Sequence, residues 1–143
     1  MSGLFAALSE DHGRILDLCK QLTGGAGSPT NTLQDRKRMA DRLIAVAARH
    51  EVAEEQVFWP AFRQRVSGAD DLIEEALHQE GGAKRLLHEL DHTSAGDTDF
   101  ARMVSHVASA LRDHVTLEES QVWPKLQLQI DGDPLSALAA QFA

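Results

Sequence analysis

Hydrophobic residues recur along four long stretches of the chain at alternating steps of three and four, the period of one face of an α-helix. In the first stretch, roughly Leu4 to Thr23, this stripe consists of Phe5, Leu8, His12, Ile15, Cys19 and Leu22. Short breaks rich in Gly, Ser and Pro separate the stretches. No part of the sequence shows the alternation of apolar and polar residues that is typical of a β-strand. The pattern therefore predicts an all-α protein.

The other three stretches cover about residues 31–66, 70–92 and 98–128, and Asn31 is placed to cap the second helix. Pro60 and Pro124 lie inside the second and fourth stretches, where proline predicts a kink. Short connections between four helices predict an up-down four-helix bundle over about residues 4–128. Asp133 and Pro134 predict a short C-terminal helix within residues 131–143, and a length of 143 residues fits one domain, 1–143.

The second and fourth stretches contain copies of one motif. His50 and His114 each begin the pattern H-x3-E-E-x3-W-P, and the second copy follows the first by 64 residues. The first and second halves of the bundle are therefore expected to be related by a pseudo-two-fold axis, with the two motifs facing each other.

Ionisable residues of this motif fall within the apolar stripes. His50 and Glu54 lie one turn apart on one face of the second helix, and His114 and Glu118 do the same on the fourth. His12 lies in the stripe of the first helix. Burying two carboxylates and three imidazoles without compensation is costly, so we expect metal ions between the helices. Imidazole and carboxylate without thiolate favour iron, with manganese or zinc as less suited metals.

The third helix offers two candidate ligands. Helix periodicity places Glu80 about 40° from the centre of the apolar stripe and His78 about 160° from it. An ideal helix thus directs Glu80 inward and leaves His78 in solvent. The alternative is a π-bulge at Gly81–Gly82 that turns His78 inward. Glu51, at the edge of its stripe, is a weaker candidate for an additional ligand.

Other chemically capable residues are interpreted as structural or solvated. Trp59 and Trp123 are expected to pack at the bundle end beside the prolines, and Cys19 to fill the core. The residues expected at the surface, outside the apolar stripes, are Glu55, Glu119, His88, His92 and His106.

Composition narrows the partners and the location. The formal net charge is −8, which disfavours a phosphate backbone as partner. There is no run of apolar residues long enough to span a membrane, and the N-terminus lacks the features of a secretory signal. A single cysteine cannot form an internal disulfide, so a cytoplasmic location is expected.

The ordered set of His12, then His50 with Glu54, then the Glu80 region, then His114 with Glu118 resembles the hemerythrin-like (HHE) cation-binding domain over about residues 4–128. The resemblance implies two non-haem iron ions joined by an oxo or hydroxo bridge, with the two glutamates of the H-x3-E pairs also bridging. It further implies that the protein binds or senses dioxygen, nitric oxide, peroxide or iron.

The third helix departs from the family pattern, in which a histidine faces inward and a second ligand often follows one turn later. Here the inward pair is Glu80 with Lys84, or His78 with Gly82. The second iron is therefore expected to be more open and to bind more weakly, which argues against reversible dioxygen carriage. A binding or sensing protein for a small diatomic molecule or peroxide is favoured over a dedicated enzyme. The alternative is a peroxidase- or catalase-like di-iron enzyme, and the sequence predicts no particular protein partner.

Overall fold

The structure is a computed structural model that describes residues 3–24 and 32–129. It consists mainly of four long helices, two of which are continued by a short helix after a π-helical turn. The α-helices are α1 (Gly3–Thr23), α2 (Leu33–Ala53), α3 (Trp59–Arg65), α4 (Asp70–Asp91), α5 (Phe100–Leu117) and α6 (Trp123–Gln129). One π-helical turn, Glu54–Phe58, joins α2 to α3, and another, Glu118–Val122, joins α5 to α6. The described residues contain no strand, so the predicted all-α class is confirmed.

Each long helix packs against two others, which closes the bundle. Helix α1 contacts α2 and α5, and α4 contacts the same two helices from the other side. Consecutive helices that pack together through short connections run antiparallel, as in the predicted up-down bundle. The predicted short C-terminal helix lies outside the described residues, and so does Asn31.

The cap of α2 differs from the prediction by one residue. Thr32, rather than Asn31, has the extended N-cap conformation, and its side chain accepts a hydrogen bond of 3.0 Å from the backbone N–H of Asp35. This bond satisfies one of the amides that the first helical turn leaves unpaired.

The core is divided into two apolar clusters with a polar layer between them. One cluster, around Phe58, Phe62 and Leu126, fills the end of the bundle that contains the π-helical turns. The other, around Leu43 and Phe100, fills the opposite end. In chain order, every long helix passes from one cluster to the other through buried polar residues, so these residues are brought to a common level.

The distortion that the sequence predicts at each proline takes the form of a π-helical turn. Pro60 and Pro124 are the second residues of α3 and α6, directly after the two π-helical turns. The backbone N–H of Trp59 bonds to the carbonyl of Glu54, and that of Trp123 to Glu118. Proline has no N–H and its ring clashes with the carbonyl four residues earlier, so a wider turn accommodates it.

Among the described residues, no helix combines the length and the apolar character needed to cross a bilayer.

Cys19 provides a test of the packing around α1. Its side chain is 1% exposed, as expected for a core residue, and burial raises the pKa of the thiol to about 11 against a smaller opposing effect of the Arg112 charge. Because the protonated thiol is a poor nucleophile, we expect the native protein at pH 8 to resist iodoacetamide. The same protein in urea should be alkylated rapidly, and mass spectrometry would measure both rates. Since the chain has one cysteine, fast native labelling would show that this packing is wrong.

Candidate metal centre

Six side chains meet in the polar layer, and all four long helices contribute to it. They are the buried polar and charged residues of the described part of the chain, each between 0% and 7% exposed: His12, His50, Glu54, Glu80, His114 and Glu118. These are the six principal ligand candidates from the sequence. The structure brings all of them to one level of the bundle.

Glu54 and Glu118 both lie against imidazoles, and Glu118 lies between imidazoles of two different helices. Glu118 Oε1 lies 3.0 Å from His114 Nε2 and 3.3 Å from His12 Nε2. Glu54 Oε1 lies 3.1 Å from His50 Nε2 on the same helix. Both carboxylates therefore lie inside the bundle, as the matching motifs predict.

The ligand atoms form two groups that could each hold a metal ion. His12, His50 and Glu118 offer one set of atoms within 4.8 Å of one another, and Glu54, His114 and Glu118 offer another. Glu118 belongs to both groups, and Glu54 contacts His50 of the first group while belonging to the second. The arrangement suits two adjacent cations that share carboxylates. The bridging roles of Glu54 and Glu118 remain predictions.

Several of the converging atoms have no hydrogen-bond partner among the described residues. They are Nε2 of His12 and of His114, Oε2 of Glu54, and both carboxylate oxygens of Glu118. Neighbouring atoms approach to 3.0–3.3 Å, but not in the alignment of hydrogen bonds. Buried polar atoms are normally paired, and leaving them unpaired costs stability. Lone pairs that converge without pairing to one another are suited to a central cation, so these residues fit a metal pair.

The electrostatics of the two central carboxyls differ. Burial, followed by the neighbouring charge of Glu118, raises the pKa of Glu54 well above its usual value. Burial also opposes ionisation of Glu118, but the Glu54 carboxyl and the His114 imidazole hold its pKa well below the usual value. Burial lowers the pKa of His114, yet contacts with Glu118 and Glu80 outweigh it and raise the value to about 10. Without a metal, protons take over part of the charge compensation.

The three histidines of the site direct Nε2 toward its centre and Nδ1 toward a polar partner outside it. His50 Nδ1 lies 2.9 Å from Asp11 Oδ2. The hydrogen bond with His50 lowers the pKa of Asp11 and outweighs the opposing effect of burial. A carboxylate on the outer nitrogen fixes the ring orientation and makes the inner nitrogen a better metal ligand. The sequence interpretation missed Asp11, whose partner lies on another helix.

Glu119 corrects an expectation. It was expected to be solvated, and its side chain is indeed 43% exposed, but Oε2 lies 2.9 Å from Nδ1 of the buried His12. The expectation assumed a regular α-helix, whereas Glu119 lies within the π-helical turn that begins at Glu118. His114 has a weaker outer partner, since its Nδ1 lies 3.3 Å from Gln79 Oε1. Gln79 had also been missed.

On α4, the third of the long helices, the structure places Glu80 inward and His78 in solvent. Glu80 is 6% exposed, and its Oε1 lies 3.3 Å from His114 Nε2. Helix α4 runs without a π-helical turn from Asp70 to Asp91, so the alternative of a bulge at Gly81–Gly82 is not observed. The orientation of both side chains agrees with the helical period. That Glu80 binds a metal remains a prediction.

Glu51 lies at the edge of the site, as the sequence places it. Its side chain is 17% exposed and lies 3.8 Å from Lys84 Nζ. Burial, followed by the charge of Glu80, raises its pKa. With Glu80 and the exposed Glu55 it forms a third group of possible ligand atoms, which consists of carboxylates alone. The three histidines expected at the surface, His88, His92 and His106, are exposed.

Both tryptophans do more than fill space. Trp59 is 4% exposed and donates from Nε1 to Glu80 Oε1 over 3.1 Å. Trp123 is 6% exposed and stacks on His12, with ring centroids 4.9 Å apart and planes inclined by 12°. The two tryptophans therefore pack in the core, as expected, and also contact candidate metal ligands.

A small cavity of about 30 Å³ adjoins the site. Its polar lining consists of His12, His50, Glu51, Glu54, Glu80 and His114. The remaining wall consists of short or aliphatic side chains: Ile15, Ala47, Ala83, Leu87, Leu111 and Val115. This volume holds about one or two water molecules. The cavity admits small ligands only.

The family profile of the Hemerythrin HHE cation binding domain matches residues 4–126. The chain belongs to this family. An uncharacterized hemerythrin-like protein of Schizosaccharomyces pombe is 21% identical, over 99% of this chain and 68% of the relative. A DNA nickase of a Nostoc species is 27% identical over 92% of this chain, which spans only 36% of the nickase.

The bundle is also similar to a solved structure, that of a hemerythrin HHE cation binding domain-containing protein from Mycobacterium kansasii. The TM-score is 0.80 at 22% sequence identity, covering 99% of this chain and 83% of that chain. This likeness establishes the hemerythrin-like fold. Together with the clustered His and Glu residues, membership of the HHE family indicates that the protein binds cations.

Glu80 and His78 give a matched pair of variants on α4. Replacing the buried Glu80 by Gln should lower the bound metal by up to one ion per chain, because an anionic donor is lost. His78→Gln should leave the metal content unchanged, since His78 is exposed. Mass spectrometry of metals after anaerobic reconstitution and desalting would measure both. Full metal content in Glu80→Gln with loss in His78→Gln would reverse the assignment.

Proposed function

We propose that the chain is a non-haem di-iron protein that binds or senses dioxygen, nitric oxide, peroxide or iron, rather than a dedicated enzyme. The observation that supports this most directly is the convergence of buried imidazoles and carboxylates from four helices, several of whose inward atoms lack a hydrogen-bond partner among the described residues. Helical bundles bury such sets of ionisable groups around a pair of metal ions.

In the proposed arrangement, His12 and His50 bind one iron, and His114 and Glu80 bind the other. Glu54 and Glu118 bridge the two, in keeping with the two groups of ligand atoms that share Glu118. The outer hydrogen bonds of the three imidazoles fix the ring orientations, so the inner nitrogens are available as ligands without further rearrangement.

The donor set supports iron over the other candidate metals. It combines imidazole nitrogen with carboxylate oxygen, a mixture suited to non-haem iron. Thiolate is excluded from the site because Cys19 belongs to the apolar cluster at the far end of the bundle. Manganese and zinc remain less suited alternatives.

The Glu80 side of the centre is the proposed place for an external ligand. Bound iron supplies a Lewis-acidic position there at which a diatomic molecule or peroxide can bind. Glu80 and His114 border the cavity of about 30 Å³, which is partly lined by aliphatic side chains and has room for a small ligand only. With a single imidazole on this side, we expect its iron to be bound more weakly than the iron beside His12 and His50.

The alternative is a peroxidase- or catalase-like di-iron enzyme. The observation in its favour is that Glu80 places a buried carboxylate beside the cavity, where it can exchange a proton with a bound peroxide. Sustained turnover of hydrogen peroxide by the iron-loaded protein would favour this alternative.

The proposed partners are small molecules in the cytoplasm. The similarity to a DNA nickase does not lead us to propose a nucleic acid, since the net charge of −8 opposes binding to phosphates. We likewise propose no membrane partner.

Iron content is the primary test. Protein expressed in iron-replete medium should contain about two iron ions per chain, as two-metal carboxylate bundles do. Its visible absorption should change when azide occupies the open position. Elemental analysis and spectrophotometry would measure both quantities. A folded protein that stays metal-free after anaerobic addition of ferrous iron would rule out the proposed function.

Glu54 and its neighbour Glu55 provide the test of bridging. Glu54→Gln or Glu54→Ala should lose most of the iron, and with it the rise in melting temperature that metal produces. At metal concentrations of 100–1,000 times Kd, that stabilisation is about 3–4 kcal/mol. Glu118→Ala should behave in the same way.

The matched control is Glu55→Gln, which changes the exposed next residue of the same π-helical turn and should keep both ions. Calorimetry with and without metal would measure the difference. If Glu54→Ala retained two ions, the bridging assignment would be wrong.

A further inference from the structure

The two tryptophans of the repeated motif occupy equivalent positions but make different contacts. Each is the first residue after a π-helical turn, and each is nearly buried, with 4% of Trp59 and 6% of Trp123 exposed. The indole N–H of Trp59 donates to Glu80 over 3.1 Å. That of Trp123 has no hydrogen-bond partner among the described residues. The hydrogen bond to Glu80 is therefore a specific feature of the first copy and not a general property of the motif.

The π-helical turn is what brings Trp59 to the site. Trp59 follows Glu54 by five positions, and on a regular α-helix their side chains would point about 140° apart. The backbone bond from Trp59 N–H to the Glu54 carbonyl spans five residues and closes the wider turn. One turn of the chain thus supplies both the proposed bridging carboxylate and a donor to the carboxylate of the facing helix.

The indole is held firmly in this position. Its ring contacts Phe58 at 5.0 Å and Phe62 at 5.7 Å between centroids, both edge to face, within the apolar cluster. Edge-to-face aromatic pairs restrict both rings. These contacts favour one direction of the N–H, toward Glu80.

Glu80 needs such a donor because of its surroundings. The charge of Glu80 helps to raise the pKa of the buried Glu54. Its Oε1 accepts the hydrogen bond from Trp59 Nε1 and lies 3.3 Å from His114 Nε2. A neutral N–H compensates part of the negative charge without competing for a cation. It also fixes Oε1, the oxygen that lies 3.3 Å from His114 Nε2, and occupies one of its two lone pairs.

We propose that Trp59 is a positioning residue, whose indole N–H holds Glu80 Oε1 beside His114 and thereby sets the affinity of the metal site there. This rests on the proposed di-iron function. By occupying one lone pair of Oε1, this hydrogen bond would disfavour binding of one metal ion through both Glu80 oxygens.

The test compares Trp59→Phe with Trp123→Phe. Both changes keep an aromatic ring and remove an indole N–H, but only the first removes a hydrogen bond to a ligand candidate. Loss of an outer hydrogen bond to a ligand typically weakens metal binding about 10–100-fold. Anaerobic titration of the metal-free proteins with Fe²⁺ or Co²⁺, followed by calorimetry and visible absorption, should show one site weakened by about that factor in Trp59→Phe. Trp123→Phe should leave the affinity of the site beside His114 at the value of the unmodified protein.

A double-mutant cycle separates positioning from packing. In a Glu80→Gln background, Trp59→Phe should change the affinity of the second site little further, because the two changes act on one interaction. Melting of the metal-free proteins gives the packing cost of each aromatic substitution independently. Independent, additive effects on affinity would overturn the proposal.

Other outcomes are equally informative. If Trp59→Phe and Trp123→Phe bound metal equally well at the site beside His114, the role of Trp59 would be refuted while the di-iron function stayed intact. An unmodified protein that binds no metal would instead refute the proposed function. Should Trp59→Phe not fold, benzothienylalanine at position 59 in the Trp123→Phe protein replaces the N–H by sulfur at nearly constant shape. Unchanged affinity of the second site in that protein would equally refute the proposal.

Discussion

Burial of three imidazoles and three carboxylates in one layer of the bundle is the constraint on which the rest of the structure depends. The layer separates two apolar clusters, so no solvent compensates the charges from above or below. Several of the atoms that face the centre lack hydrogen-bond partners among the described residues. Protein groups alone leave this layer under-satisfied, and a pair of cations would compensate it.

Protons and metal ions are competitors in such a layer. The raised pKa of Glu54 means that its carboxyl favours the protonated form in the metal-free protein, whereas the lowered pKa of Glu118 favours the charged form. Because a metal ion binds the charged carboxylate, metal binding and protonation of Glu54 oppose each other. A site of this kind therefore couples metal affinity to pH and couples both to the stability of the bundle.

The two halves of the bundle share a motif but have come to use it differently. Both prolines are preceded by a π-helical turn that starts at a buried glutamate. Trp59 nevertheless donates to a carboxylate across the bundle, while Trp123 stacks on an imidazole. An asymmetric pair of metal positions, one richer in imidazole and one richer in oxygen, is consistent with this divergence.

Helical periodicity alone determined the all-α class, the four long helices and the inward face of each, including the preference for Glu80 over His78. It could do so because a residue's face follows from its own helix. The tertiary structure alone decided the outer partners of the histidines and the contact of Trp59 with Glu80. These contacts join different helices, so they depend on how neighbouring helices are rotated and how far each is displaced along its axis. The π-helical turns also change the direction in which side chains point after Glu54 and Glu118. A helical wheel drawn with a constant period cannot reproduce that change.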